Sequence, residues 1–203
     1  MKITNVEVVG LEYAKWASRL PMLNHGSGQE YLRKVSNNDA DKTNTRMLHL
    51  GQCDPGTGHD VSFGGITVYH TVKADIKWWV QAQRYGHYNF VSSTSTMKFL
   101  LSYTNESPMK QDCNEWVDED IAHKMQLLIN IYRVNPTKEN FYHMLYSCPY
   151  GYEYSAAMVT NYRQLKIMYN QRKNHKLDTW HTFCDWILTL PHFKEWCLKG
   201  EAQ

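Results

Sequence analysis

The 203-residue chain is 42% hydrophobic and 21% charged, the balance of an ordinary globular protein of one domain or two at most, which excludes disorder, collagen and coiled coil as whole-chain architectures. Its 22 basic and 20 acidic residues leave a formal charge of +2, too small a surplus to argue for a nucleic-acid polymer or a membrane surface as partner. No run approaches the roughly 18 consecutive apolar residues of a spanning helix, because Lys77, Gln81 and Asp185 interrupt the most apolar tracts.

The opening Met1-Lys2-Ile3-Thr4-Asn5-Val6 lacks the apolar core of a secretory signal. Residues Ile3 to Val9 form a β-branched run that ends at Gly10 and reads as a strand. Leu11, Ala14, Ala17 and Leu20 then recur at helical spacing until Pro21 stops the pattern. The polar stretch from His25 to Thr45 is expected to be a surface loop. Turn signals at Asp54-Pro55-Gly56-Thr57-Gly58 and Gly64-Gly65 precede the alternating series Ile66, Val68, His70, Val72 and Ala74, the clearest strand in the chain.

Asp75 can cap a following helix in which Ile76, Trp79, Val80 and Gln83 share a face, with Gln81 and Arg84 three residues apart on another. A helix is expected over Val117–Val134, opened by Asp118, Glu119 and Asp120 and ended by Pro136. Further helices are expected from about Thr160 to Asn174, and from Asp178 to Leu190 with an apolar stripe of Trp180, Cys184, Ile187 and Leu188. Strands mixed with helices, without an internal repeat, make a single α+β domain over residues 1–203 with a central mixed sheet the expected fold.

Most local chemical signals have ordinary explanations. Gly56-Thr57-Gly58 lacks the third glycine and following helix of a dinucleotide fingerprint. His175, His181, Cys184 and His192 can be read as a metal cluster, but surface imidazoles and a core thiol explain them as well. Cys148 can be read as a nucleophile, yet nothing near it in sequence would depress its pKa. The five cysteines follow no zinc-finger spacing and fit a reducing cytoplasm.

Two longer constellations carry more. From Val72 to Ser95 a strand leads into a helix bearing Gln81 and Arg84, then into a connection with Asn89, Ser92, Ser93, Thr94 and Ser95, whose amides and hydroxyls can wrap an anion or a polar ring; an ordinary Ser/Thr-rich loop is the alternative. From Thr160 to Arg172, Asn161 and Arg172 stand eleven positions apart, which at roughly 100° per residue brings an amide and a guanidinium onto one helix face; a solvated cationic face is the alternative.

In this order the two segments resemble the flavin-dependent thymidylate synthases, over most of residues 46–190. Asn161-Tyr162-Arg163 and Arg172 resemble the family's Asn-x-Arg motif and its later nucleotide-binding arginine, and Gln81 and Arg84 match the Gln-x-x-Arg that opens its signature. Asn89 and Ser92 resemble the signature's Asn-x-x-Ser if two residues are deleted, whereas an ungapped register puts Thr94 at the serine. The chain departs from the pattern elsewhere. Arg84-Tyr85-Gly86 stands for Arg-His-Arg, Gly65 for a histidine and Leu145 for an arginine, and the closing Arg-Tyr has no counterpart. Each lost charge-assisted phosphate contact is worth roughly 1.5–3 kcal/mol, so the resemblance implies a rebuilt substrate pocket.

The resemblance implies a homotetramer with shared flavin sites, FAD as cofactor, methylenetetrahydrofolate as carbon donor and NADPH as reductant. It implies one-carbon transfer to C5 of a pyrimidine deoxynucleoside monophosphate, dUMP or dCMP, with a methyl or a hydroxymethyl product. Arg84, Asn161 and Arg163 would hold the flavin. Gln81, Arg84, Asn89, Ser92, Ser93, Ser95 and Arg172 would hold the nucleotide, with Arg172 polarising the ring. A flavin- or nucleotide-binding protein without turnover is the alternative. The divergence fits a viral source, with the host cytoplasm as the place of action.

Overall fold

The computed structural model describes residues 1–23, 40–55 and 57–199, with positions 40 and 41 described by backbone alone. Four strands, β1 (Lys2–Val9), β2 (Thr67–Asp75), β3 (Asn89–Ser93) and β4 (Glu153–Asn161), form one sheet in the order β1-β2-β4-β3. The Ile76 N–H donates to the Tyr152 carbonyl at 3.0 Å, and the Tyr162 N–H to the Ile66 carbonyl at 3.1 Å. Each bond joins the end of one strand to the start of the other, so β2 and β4 run antiparallel. The α+β class is as expected, but the sheet is antiparallel rather than mixed.

The β2 alternation reads directly in the structure, with Val68, His70, Val72 and Ala74 all buried. Two strands differ from expectation. β4 extends through Thr160 and Asn161, where a helix was expected to begin, and it buries Ala156, Met158 and Thr160 on one face. Alanine and methionine favour helices, so the period of two was masked by residue type. β3, expected as part of a loop, is an edge strand with all five residues exposed; without a buried face it carries no apolar alternation.

The chain forms two compact units. The first comprises Met1–Thr4, Thr71–Arg84 and Phe90–Met158. It contains α3 (Ile76–Ala82), α4 (Thr96–Ser102), α5 (Glu119–Val134) and α6 (Lys138–Tyr146). Its core is Leu100, Tyr103, Met109, Met125, Ile129, Met144 and Tyr152; burying side chains of this size contributes about 1.5–3 kcal/mol each. Asp75 caps α3 as expected, its carboxylate accepting from the Trp78 N–H at 2.8 Å. The buried face of α3 is Trp78, Trp79 and Ala82, while Val80 is half exposed. The Trp79 indole explains that rotation: its N–H donates to the Ala74 carbonyl at 3.0 Å and its ring stacks on Tyr154.

The second unit comprises Asn5–His70, Tyr85–Asn89 and Val159–Gln203. It contains α1 (Leu11–Ala17), α2 (Ala40–Gly51), α7 (Tyr162–Arg172), α8 (Asp178–Leu188) and α9 (Phe193–Cys197). Gly10, at φ +89°, starts α1, and a Cβ there would lie 2.2 Å from the Gly65 carbonyl oxygen, so only glycine fits. α1 ends at Ala17, before the expected Leu20, and a 3-10 turn over Leu20–Met22 takes up the proline. Of the polar stretch expected as a loop near 25–45, residues 40–45 open α2 and 25–39 lie outside the described residues. α7 packs on α8, and α2 on α9, around the buried Phe63, Trp180, Phe183, Phe193 and Trp196. Among the described residues no helix is long and apolar enough to cross a membrane.

Candidate functional site

The second unit gathers most of its chemistry on α7. β4 ends in extended backbone at Asn161 (φ −141°, ψ 166°), whose side-chain oxygen accepts from the Gln164 N–H at 2.8 Å and so caps the helix. Asn161 therefore precedes α7, and the expectation that it shares a helical face with Arg172 does not hold. Its amide is engaged in starting the helix. Between the two ends, Tyr162, Leu165, Met168 and Tyr169 bury the apolar face.

Arg163 and Lys166, one turn apart, converge on a single buried carboxylate. The Arg163 Nε–H donates to Asp60 Oδ1 at 2.9 Å, and Lys166 Nζ lies 3.5 Å from Oδ2. Asp60 is 1% exposed and Lys166 5%, whereas Arg163 is 37% exposed. Lys166 also donates to the Cys53 carbonyl. Two cations thus share one counter-charge, and the surplus resides on the guanidinium that reaches solvent. Asp60 anchors Arg163 through one of its five N–H donors, which leaves a cationic edge suited to an anion such as a pyrophosphate.

Arg172, the last residue of α7, sits in an aromatic cradle. Its Nε–H donates to the Tyr85 hydroxyl oxygen at 2.7 Å, and the Tyr85 O–H donates to Gln171 Oε1 at 3.0 Å. The guanidinium carbon lies 4.6 Å above the Trp180 ring and 5.5 Å from the Tyr85 ring, within cation–π range of both. Trp180 is fully buried on α8, edge-on to Tyr85 at 6.2 Å and to Phe183 at 5.7 Å. His175 also meets the Trp180 ring edge-on, and its Nδ1 accepts from the Leu177 N–H at 3.1 Å. Burial, then the Arg172 and His181 charges, lower its pKa below the usual imidazole value. The imidazole is therefore a neutral neighbour of the guanidinium.

A third cluster centres on His70, whose Nε2 is 3.0 Å from the Tyr88 hydroxyl and whose ring lies 4.6 Å from Trp186. Burial pulls the imidazole down to about 4, opposed by a backbone hydrogen bond at Val68, and burial pushes the Tyr88 phenol well up. Both are neutral at physiological pH.

Asn161, Arg163 and Arg172 belong to the second unit, as does Asn89 at the start of β3. Gln81, Arg84, Ser92, Ser93 and Ser95 belong to the first. Gln81 is half-buried in the last turn of α3, Arg84 follows exposed, and the Arg84 N–H donates to the Gln81 carbonyl at 3.4 Å. Ser92 and Ser93 are consecutive on β3, so they point to opposite faces and cannot both line one pocket on the same strand. Ser95 caps α4 by accepting from the Lys98 N–H at 3.4 Å. The Thr94 hydroxyl is engaged with the Ser155 backbone, donating to its carbonyl and accepting from its N–H, each at 3.2 Å.

Cys148 shows no sign of activation: burial pushes its thiol up to about 12, with a smaller contribution from Cys113. Burial likewise raises Cys113 to about 11 and Cys184 to about 12, and raises Cys197 further. A thiolate nucleophile is disfavoured at all four. Among the described residues no group of three or more His, Cys, Asp or Glu could hold a metal ion.

Asp60, Lys166, Tyr85 and Trp180 were not singled out as site residues in the sequence. Tyr85 stands inside Arg84-Tyr85-Gly86 and Asp60 lies two residues beyond the turn signal ending at Gly58, but nothing in the linear pattern pairs them with Arg172 and Arg163, which lie 87 and 103 residues away.

No family model and no curated protein sequence matches the chain. Solved structures do. The flavin-dependent thymidylate synthase ThyX from Helicobacter pylori, complexed with FAD and dUMP, is 15% identical with a TM-score of 0.71, the alignment covering 100% of both chains. A second structure of Thymidylate Synthase X (ThyX) from Helicobacter pylori, with FAD and dUMP, is 16% identical with a TM-score of 0.72 and the same full coverage. At this identity the likeness concerns architecture: from end to end, the chain has the α+β fold of the flavin-dependent thymidylate synthases.

Proposed function

We propose that this protein is a flavin-dependent transferase that moves a one-carbon unit from methylenetetrahydrofolate to C5 of dUMP or dCMP, in the cytoplasm and as a homotetramer. The observation that carries the reading is Arg172, cradled by Tyr85 and Trp180 on a full-length fold shared with synthases solved with FAD and dUMP. The raised thiols support it from another side, because a reaction without an enzyme nucleophile does not need an activated cysteine.

The guanidinium of Arg163, tethered at one edge by Asp60 and otherwise reaching solvent, supports FAD as the cofactor. Arg163 is a cation open to solvent that would bind the FAD pyrophosphate, with Asn161 fixing the helix that carries it, and the exposed Arg84 is a flavin ligand on the strength of the resemblance. When bound, FAD supplies the redox chemistry, with NADPH as the source of electrons. Arg172 would bind the pyrimidine edge and stabilise negative charge as C5 becomes nucleophilic, the logic of an oxyanion site. For the nucleotide's sugar and phosphate the resemblance supports Gln81, Asn89 and Ser95 as contacts, together with one of Ser92 and Ser93, which face opposite ways on β3. Reduction of the methylene on C5 yields a methyl group, and capture by water yields a hydroxymethyl group.

The test incubates purified protein with FAD, NADPH, methylenetetrahydrofolate and either dUMP or dCMP, then weighs the nucleotides by mass spectrometry. A methylated or hydroxymethylated product is expected from one of them. Retained flavin with no product from either would leave a binding protein without turnover, and absence of flavin binding would overturn the reading altogether.

A further inference from the structure

We infer that Tyr85 is a positioning residue for Arg172, and that with Trp180 it sets the guanidinium in place before any ligand arrives; this rests on the reading of Arg172 given above. Tyr85 occupies the middle of Arg84-Tyr85-Gly86, the segment in which this chain departs from the synthase signature. It is also the residue whose oxygen accepts the Arg172 Nε–H at 2.7 Å.

The phenol serves both roles at once. Its proton is directed to Gln171 Oε1 at 3.0 Å, which turns the oxygen's acceptor side to Arg172. Trp180 contributes the stacking plane, 4.6 Å from the guanidinium carbon. A stacking plane restricts the tilt of a flat group and an in-plane hydrogen bond its rotation, so the cradle constrains the fork in both senses. Ordering a long side chain in advance removes part of the entropic cost of binding. Phenylalanine at position 85 would keep the ring and the edge contact with Trp180 but remove the acceptor.

The test compares wild type, Tyr85→Phe, Arg172→Lys and the double variant by isothermal titration with dUMP and with dCMP. Circular dichroism checks that each remains folded. Because Arg172 must then be ordered on binding rather than beforehand, Tyr85→Phe should weaken binding of the preferred nucleotide by roughly five- to tenfold. Because Tyr85 acts through Arg172, the double variant should bind no more weakly than Arg172→Lys alone. Binding by Tyr85→Phe within twofold of wild type, or penalties that multiply in the double variant, would overturn the inference. If wild type binds neither nucleotide, the functional reading fails, and the cradle is tested separately by the Arg172 Nε–H resonance in ¹⁵N NMR. Slow solvent exchange that becomes fast in Tyr85→Phe supports it; equal exchange in the two overturns it.

Discussion

Replacing Asp60 with asparagine isolates the electrostatics of the second unit, since the side chain keeps its shape and one oxygen still able to accept from Arg163. Only the negative charge goes. Arg163 is 37% exposed and can turn to water, but Lys166, 5% exposed, would keep a buried ammonium beside the Cys53 carbonyl without its carboxylate. Removing one partner of a buried ion pair costs about 3–5 kcal/mol, and Arg163's access to solvent puts Asp60→Asn near the lower figure, about 3 kcal/mol. For a domain of this size, that corresponds to a fall in melting temperature of about 6–12 °C. Urea denaturation and calorimetry measure it directly. The companion Asp60→Asn/Lys166→Met, which removes the stranded charge, should recover at least about half of the loss. If Asp60→Asn alone stays within about 1 kcal/mol of wild type, Lys166 does not depend on that carboxylate, and Asp60 is not the shared counter-charge of the two cations.

Arg172→Lys keeps the charge but not the planar fork, so turnover on the preferred nucleotide should drop at least about tenfold, roughly 1.4 kcal/mol in the barrier, with flavin content and fold retained; near-normal turnover would remove Arg172 from the reaction. Arg163→Ala should weaken flavin retention without unfolding the chain, and an unchanged flavin dissociation constant would take Arg163 out of the cofactor site. Since Ser92 and Ser93 lie on opposite faces of β3, only one of Ser92→Ala and Ser93→Ala should weaken nucleotide binding by more than twofold; equal effects from both would contradict the strand geometry. Burial holds the His70 imidazole at about 4 against an ordinary 6.5, so the unfolded chain takes up this proton first as pH falls. The stability that depends on neutral His70 is therefore complete above pH 6.5 and lost progressively towards pH 4, by up to about 3 kcal/mol. His70→Gln should flatten that part of the profile, and an unaltered profile in the variant would assign the acid sensitivity elsewhere.

Much of the scaffold was legible because it obeys simple periods. β2 alternates strictly, Asp75 announces α3, and acidic residues open α5 beside its Asp118 cap, all visible in linear sequence. β4 was hidden by helix-favouring Ala156, Ala157 and Met158, and by its direct run into α7, which blurred strand and helix into one pattern. β3 was hidden because a short, fully exposed edge strand has no apolar face to display. At the candidate site, the sequence pointed to Arg163 and Arg172 but not to the groups that hold them. Asp60 and Tyr85 reach them only through tertiary contact, and a carboxylate or phenol in a turn looks the same whether it faces water or a guanidinium.

The cap at Asn161 also governs angle. α7 inherits its rotational phase from the point at which β4 stops, and the bond from Asn161 to the Gln164 N–H fixes that point. One residue inserted after Asn161 would turn every later side chain by roughly 100° about the axis and advance it by about 1.5 Å. Arg163 would swing off Asp60, and Arg172 would leave the Trp180 plane, although no contact residue had been altered. An insertion of four residues would nearly restore the phase, over-rotating by about 40°, while moving the cations about 6 Å along the axis. Angular alignment and axial reach cannot both be recovered by lengthening the junction, so its length is as much a determinant of the site as the arginines themselves.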